Sequence, residues 1–336
     1  MALDKLVGQS KLKSRMAASL LNSSGHAFLF TGPHNIGKNT FAKELAKGFL
    51  CSSPTSNGGC DNCDNCRYFN AGTHPDFVEL GVDASKNIKV DEIRDSIIED
   101  EIIAPHASEH KVYLINADLL NNEGQNALLK SIEEPPHNVI FIFTVADKLK
   151  LLPTVISRCE ELKVELYSED EIVKALKADS DKVKDVSDSK INFLSVFAAG
   201  IIGNAFDLLS DEEFDNLRVT VMKLMIDLPE DGYTKLLYDD YHFFEENKEK
   251  ADVILLLILW FLGDVALLLK DSEAMVKNAD KKDELLGFIK RHPNLTLSKI
   301  GNCADRINEF KKNAAVNANY ECAVGNLLIK MNKELK

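Results

Sequence analysis

Residues 28–49 have the sequence FLFTGPHNIGKNTFAKELAKGF. An apolar run is followed by a glycine-containing loop and then by a helical pattern, which is the order of elements around a phosphate-binding loop. Gly32, Gly37 and Lys38 meet the pattern GxxxxGK[ST], but Asn39 stands where a Ser or Thr hydroxyl would hold magnesium. The stretch therefore predicts the geometry of a nucleotide-binding loop without its complete metal site.

Around this loop, the first half of the chain alternates short apolar runs with helical patterns. The helical patterns begin at Lys38 and within NNEGQNALLKSIEEP, and the apolar runs are HAFLFTG, FVEL, KVYLINA and NVIFIFTVA. This alternation predicts an α/β core in which helices cover a parallel sheet. After Tyr167 such runs stop, and Ser168 with Glu171 predicts a capping box that opens a helical remainder.

The 336 residues are enough for two or three domains, and their net charge of -13 disfavours non-specific binding of nucleic acid. The run from Val253 to Lys270 is apolar, but Gly263 and Asp264 interrupt it, so a core helix is favoured over a membrane span. The first residues lack the pattern of a secretory leader. These features predict a cytoplasmic protein without a membrane partner.

Hydrolysis in phosphate-loop proteins also needs acidic residues after the next core strand. Here that strand, within VYLINADLL, ends in Asn116 and Ala117. A working ATPase would have to recruit Thr40 and Asp118 by two shifts in register. We therefore expect a retained loop without hydrolysis, whereas binding of ATP by Gly32, Gly37 and Lys38 stays open.

Four of the seven cysteines lie within sixteen residues, at Cys51, Cys60, Cys63 and Cys66. Four thiolates at CxxC spacing satisfy tetrahedral zinc and leave no position for water. The spacing predicts a structural zinc site in a surface knuckle, residues 51–66. An iron–sulfur cluster and a set of free thiols remain as alternatives.

Arg158 lies in the segment SRC, just past the fourth apolar run. A single arginine at such a place is typically a surface charge or part of a structural salt bridge. At the end of a core strand of a nucleotide-binding fold, however, its guanidinium can reach the γ-phosphate held by a neighbouring subunit. Both interpretations stay open from the residues alone.

Together these segments resemble the clamp loader subunits of bacterial DNA polymerase III, which are members of the AAA+ family. The resemblance rests on HAFLFTGPHNIGK, the four-cysteine insertion, HPDFVEL, NALLKSIEEPP and SRC, and it continues through AAGIIGNA and WFLGDVALLLK. The departures at Asn39, Asn116 and Ala117, with Asn204 near where a lid helix presents an arginine, resemble the delta prime kind more than the gamma/tau kind.

The resemblance implies an AAA+ core over residues 1–166, a helical lid over 167–210 and an oligomerisation collar over 211–336. It implies a non-hydrolysing member of a five-subunit ring with gamma/tau and delta subunits, which loads the sliding clamp on primed DNA within a polymerase holoenzyme. Arg158 would then act in trans on the ATP of an adjacent subunit.

Two alternative functions remain. One is an active gamma/tau-type ATPase, against which Asn39 and Ala117 speak. The other is a zinc-bearing nucleic-acid-binding protein, for which basic and aromatic residues are expected around the cysteines. Here Arg67, Tyr68 and Phe69 follow the knuckle directly, and the knuckle itself contains Asp61 and Asp64.

Overall fold

A parallel five-stranded sheet with the strand order β2-β3-β4-β1-β5 forms the centre of the amino-terminal part of the chain. This is seen in a computed structural model that describes residues 3–22, 25–83, 85–136, 138–179, 183–184, 186–270, 272, 276–315 (side chains to 312) and 319–336. The strands are β1 (Ala27–Thr31), β2 (Phe77–Leu80), β3 (Lys111–Asn116), β4 (Val139–Val145) and β5 (Glu160–Lys163). The predicted α/β fold is confirmed.

The α-helices in the described part of the chain follow the predicted alternation and then fill the remainder. The first nine are α1 (Ser10–Asn22), α2 (Lys38–Leu50), α3 (Asp64–Asn70), α4 (Val90–Ile93), α5 (Asn122–Glu133), α6 (Pro153–Ile156), α7 (Glu169–Ala178), α8 (Asp188–Phe197) and α9 (Ile202–Leu209). The others are α10 (Glu212–Asp227), α11 (Tyr233–Lys235), α12 (Tyr241–Glu246), α13 (Ala251–Leu268), α14 (Lys282–Arg291), α15 (Leu297–Ala315) and α16 (Tyr320–Leu335). π-Helical turns span Arg94–Ile98 and Leu236–Asp240.

The central strands are buried along their whole length, as strands covered on both faces must be. Every residue of β1 and of β4 is buried, and β1 pairs in parallel register with β4 on one side and with β5 on the other. This arrangement places the loop after β1 at the carboxyl edge of the sheet, where ligands of open α/β sheets bind.

The chain divides into two compact units. One comprises residues 1–184 and 197–207, and the other comprises residues 185–196 and 208–336. In the first unit the predicted capping box is present, because the Ser168 hydroxyl accepts the Glu171 N–H and the Glu171 carboxylate accepts the Ser168 N–H. The second unit is helical in its described residues.

Helix α13 carries the apolar run that resembles a membrane span. Within the described residues, one helical stretch, Lys248–Leu268, is long and apolar enough to cross a membrane, and half of it is buried inside the protein. Asp264, 1% exposed, accepts hydrogen bonds from the backbone N–H groups of Lys277 and Asn278 and from the Asn278 side chain. The aspartate that interrupts the run thus anchors a neighbouring segment, as suits a helix packed inside a helical domain.

Candidate functional site

The loop between β1 and α2 has the backbone shape of a phosphate-binding loop. Gly32 and Gly37 take positive φ angles of 147° and 96°, and Asn35 takes 58°. A Cβ on Gly32 would lie 2.8 Å from the carbonyl oxygen of Val164, so only glycine fits there without rearrangement. Helix α2 starts at Lys38, directly after this loop, so that its first N–H groups face the carboxyl edge of the sheet.

The ammonium group of Lys38 finds its hydrogen-bond acceptors within the loop. Its ammonium group donates hydrogen bonds to the carbonyl oxygens of Gly32, at 2.8 Å, and of Pro33, at 2.7 Å. Burial lowers the pKa of Lys38, and nearby Asp118 partly opposes this shift. Two carbonyl acceptors thus satisfy the buried ammonium group, and these contacts join Lys38 to the start of the loop.

The residues at the magnesium-binding positions cannot supply the usual carboxylates and hydroxyl. Asn39 lines the cleft beside the loop, and Ala117 is fully buried. Asn116 caps the next turn, where its side-chain oxygen accepts the N–H of Asp118 at 3.3 Å. Ala117 therefore serves packing, Asn116 serves a local hydrogen bond, and Asn39 is exposed at the cleft.

Asp118, the acidic residue nearest to the missing pair, is held by the backbone just past the end of β4. Its carboxylate accepts the N–H groups of Ala146, at 2.8 Å, and Asp147, at 3.5 Å, and it lies 3.9 Å from the Lys150 ammonium. Recruiting Asp118 as a metal ligand would compete with these contacts. The sequence alone did not reveal this structural role.

Helix α9 contacts the loop directly. The Gly203 N–H donates to the carbonyl oxygen of Asn35 at 2.9 Å. The Asn35 side chain donates to Asn204 at 3.3 Å and to Asp207 at 3.1 Å. The resemblance places Asn204 near the position from which a lid helix can present an arginine to nucleotide. Here the Asn204 side chain accepts a hydrogen bond from the loop.

A cleft of about 420 Å³ lies between the loop, the end of β3 and α9. Its charged lining comprises Lys38 together with Asp118 and Asp207, and no arginine lines it among the described residues. A triphosphate needs excess positive charge or magnesium around it. Among the side chains that line the cleft, Lys38 is thus the one ammonium that could face a triphosphate, beside the N–H groups of the loop.

The four cysteines of the knuckle come together as predicted. Their Sγ atoms all lie within 4.8 Å of one another, and the Cys51–Cys63 and Cys60–Cys66 pairs are 3.8 and 4.0 Å apart. Tetrahedral coordination with metal–sulfur bonds of about 2.3 Å requires sulfur–sulfur separations of about 3.8 Å. The cluster therefore has the dimensions to bind a metal such as zinc.

Backbone N–H groups point at the sulfur atoms, as is expected around thiolates. Cys51 accepts the N–H groups of Ser53 and Cys60, and Cys63 accepts that of Cys66. Burial raises the pKa of the Cys63 thiol, but backbone hydrogen bonds from Cys66 and Ser52 outweigh it and bring the pKa to about 6. Backbone N–H groups likewise lower the pKa of Cys60, whereas burial raises the pKa of Cys51 and of Cys66. Metal binding would therefore have to displace the protons of the two buried thiols.

Asp76, in the HPDFVEL segment just before β2, binds the loop of residues 106–108, and this loop also contacts the knuckle. The fully buried Asp76 carboxylate accepts the N–H groups of residues 106, 107 and 108 and the hydroxyl of Ser108, at 2.6 to 2.9 Å. The side chain of Asn65, in α3 of the knuckle, donates to the carbonyl oxygen of Ala107. One loop therefore connects the cysteine cluster with the core.

Arg158 lies outside the cleft, after α6. Its guanidinium pairs with the Glu133 carboxylate at 2.5 Å and donates from Nη1 to the carbonyl oxygen of Thr154 and the hydroxyl of Ser157. The arginine side chain remains 35% exposed and that of Glu133 46% exposed. The structure thus places Arg158 at the surface, separate from the loop of its own chain, and adds Glu133 as a partner that the sequence did not indicate.

The sequence matches the family described as DNA polymerase III, delta subunit, over residues 8–167. It is 36% identical over 169 residues to the tau subunit of Escherichia coli DNA polymerase III, covering 50% of this chain and 26% of that protein. It is 32% identical over 240 residues to the gamma subunit of Buchnera aphidicola from Acyrthosiphon pisum, covering 70% of this chain and 66% of that protein. Residues 8–167 belong to a clamp loader family.

A delta prime subunit is also among the relatives of this clamp loader region. That of Pseudomonas aeruginosa is 38% identical over 136 residues, covering 40% of this chain and 41% of that protein. The chain thus spans from about a quarter to two thirds of the length of these relatives. Among solved structures, a DNA polymerase III gamma-subunit-related protein of Thermotoga maritima covers 97% of this chain and 100% of its own at 14% identity, with a TM-score of 0.39.

The fold and the family agree with the sequence-based expectation. The chain has a parallel α/β fold with a loop of phosphate-binding shape after β1, and its relatives include tau, gamma and delta prime subunits of DNA polymerase III. The names of these relatives do not separate the delta prime kind from the gamma/tau kind. That distinction depends on the residues of the site.

Proposed function

We propose that this protein is a delta prime-type subunit of a bacterial DNA polymerase III clamp loader, which joins the ring without hydrolysing ATP. The observation that carries the proposal is the state of the hydrolysis positions. Asn39, Asn116 and Ala117 offer no magnesium-ordering or water-activating group, and the nearest carboxylate, Asp118, is engaged by backbone N–H groups. A motor subunit of the gamma/tau kind requires these groups.

The direct test is ATP hydrolysis by the purified chain. We expect none above background, because neither the metal nor the attacking water would be held in place. Hydrolysis that disappears in Lys38→Ala would contradict the proposal and favour the gamma/tau interpretation. Weak binding of ATP without turnover agrees with it, since Lys38 and the loop N–H groups remain.

In the proposed ring, Arg158 serves the ATP site of an adjacent gamma/tau subunit. Its partial exposure and its position outside the cleft of its own chain support this role, because a guanidinium that completes a site in trans must be reachable from outside. The ring would also contain a delta subunit and would load the sliding clamp on primed DNA in the cytoplasm. Residues 167–210 would serve as the lid and 211–336 as the collar that holds the ring together.

We further propose that the knuckle binds one structural zinc ion through Cys51, Cys60, Cys63 and Cys66. The sulfur separations and the N–H groups directed at the sulfur atoms support zinc with no open position. Metal analysis of protein purified without chelators should give one zinc per chain. Iron instead of zinc would indicate a cluster, and the absence of any metal would indicate free thiols.

A further inference from the structure

Helix α5 holds the arginine-bearing segment at two points. Near its start, the buried Gln125 side chain accepts the N–H of Leu152 at 2.7 Å and donates to the carbonyl oxygen of Lys150 at 2.9 Å. At its end, Glu133 pairs with Arg158. The first contact fixes the backbone that leads into α6, and the second fixes the guanidinium that follows it.

The contacts of Arg158 leave part of its guanidinium available. Nη1 donates to Thr154 and Ser157, and Nη2 faces Glu133. The Nε–H group has no partner among the residues that the structure describes. A guanidinium has five donors in a rigid fork, so a phosphate oxygen can approach it while the carboxylate stays in place.

We propose that Glu133 is a positioning residue for Arg158, which holds the guanidinium ready for the ATP of a neighbouring subunit. A free arginine side chain has many rotamers, and ordering it at the moment of reaction would weaken its contribution to the transition state. An ion pair at 2.5 Å limits those rotamers beforehand. This inference rests on the proposed role of Arg158 in trans.

The size of the effect is limited by the exposure of the pair. Partly exposed ion pairs contribute up to about 1 kcal/mol, which corresponds to about a fivefold change in rate. We therefore expect Glu133→Gln to lower ATP turnover at the adjacent site by up to about fivefold. The fall should appear in kcat, because the arginine acts on the transition state, while KM for ATP stays nearly unchanged.

The experiment is a double-mutant cycle in the reconstituted clamp loader, with clamp- and DNA-stimulated ATPase as the readout and size-exclusion chromatography as the check on assembly. Glu134→Gln is the matched control, because Glu134 is the exposed neighbour and carries the same charge. We expect Glu133→Gln to lower kcat in the native background and to change nothing further in an Arg158→Ala background. Glu134→Gln should have no effect in either.

The outcomes separate this inference from the function on which it rests. If Arg158→Ala lowers turnover and Glu133→Gln does not, the positioning role is wrong and the role of Arg158 stands. A rise in turnover with Glu133→Gln would show that the carboxylate competes with the phosphate, which also overturns positioning. If Arg158→Ala itself has no effect in an assembled ring, both claims fall. An equal loss from Glu133→Gln in both backgrounds would assign Glu133 a role that does not act through Arg158.

Discussion

Replacing Asp76 should destabilise the amino-terminal unit and loosen the knuckle. In Asp76→Ala, three backbone N–H groups lose their acceptor, whereas the Ser108 hydroxyl can still donate to the carbonyl oxygen of His110. Each buried polar group left without a partner costs about 1–3 kcal/mol, and water can reach part of this loop, so we expect a loss of about 3–4 kcal/mol. Asp76→Asn keeps one acceptor oxygen and should cost about 2 kcal/mol.

The effect should depend on pH in a defined direction. Burial alone raises the pKa of Asp76, but the N–H groups of residues 106–108 outweigh it and hold the pKa below its ordinary value of 3.8. A carboxyl group with a lowered folded-state pKa contributes stability above its unfolded pKa and loses it as pH falls through the folded value. The difference between the native protein and Asp76→Asn should therefore be constant near neutral pH and shrink below about pH 3.8.

Urea denaturation followed by circular dichroism measures this difference, and Glu109→Ala is the control, since Glu109 is an exposed acidic residue of the same loop. Hydrogen exchange over residues 60–70 measures the loosening of the knuckle, which is joined to the loop through Asn65 and Ala107. An Asp76→Ala protein as stable as the control would refute the reasoning.

Three further predictions concern other parts of the chain. Asp264→Leu should destabilise the carboxy-terminal unit by about 3 kcal/mol, because two backbone N–H groups and the Asn278 side chain lose their acceptor. A calorimetric unfolding transition unchanged from that of the native protein would contradict this. If the knuckle holds the proposed zinc, a chelator should raise hydrogen exchange in the knuckle while β4, which is buried in the sheet, stays protected. Equal loss of protection in both would show that the core depends on the metal. Asn39→Thr should not produce ATP hydrolysis, because Asn116 and Ala117 still occupy the other positions; measurable turnover in this variant would contradict the account.

Four of the five strands could be predicted from the sequence. Strands β1, β3 and β4 lie inside the sheet and need continuous apolar runs, and the edge strand β2 keeps a short apolar run, FVEL, although only Leu80 in it is buried. Strand β5, with the sequence EELK, was not predicted because it has no apolar run. It pairs with β1 on one side and lies at the edge of the sheet, so three of its four residues can carry charge. A short charged run has no periodicity that separates it from a loop.

The cysteine cluster was predictable because its ligands are close in sequence and tetrahedral coordination limits their arrangement. The contacts of Glu133 with Arg158 and of Asp118 with the end of β4 were not, since they join residues about 25 to 30 positions apart that meet only when the sheet forms. The contact of Asn35 with α9 spans about 170 residues. A local sequence pattern cannot predict these long-range side-chain contacts, because they depend on how helices and strands pack against one another.

The most direct test of the account compares two variants of this chain in the same reconstituted ring. If the protein donates Arg158 but does not hydrolyse ATP, Arg158→Ala should lower clamp- and DNA-stimulated ATPase, whereas Lys38→Ala should leave it unchanged. A trans arginine contributes on the order of 10³-fold at its own site, and the fall in total rate will be smaller because the other motor sites keep theirs. Arg158→Lys should behave more like Ala than like the native protein, since lysine lacks the forked donors. A ring that tolerates Arg158→Ala but loses turnover with Lys38→Ala would show that this chain is itself a motor subunit.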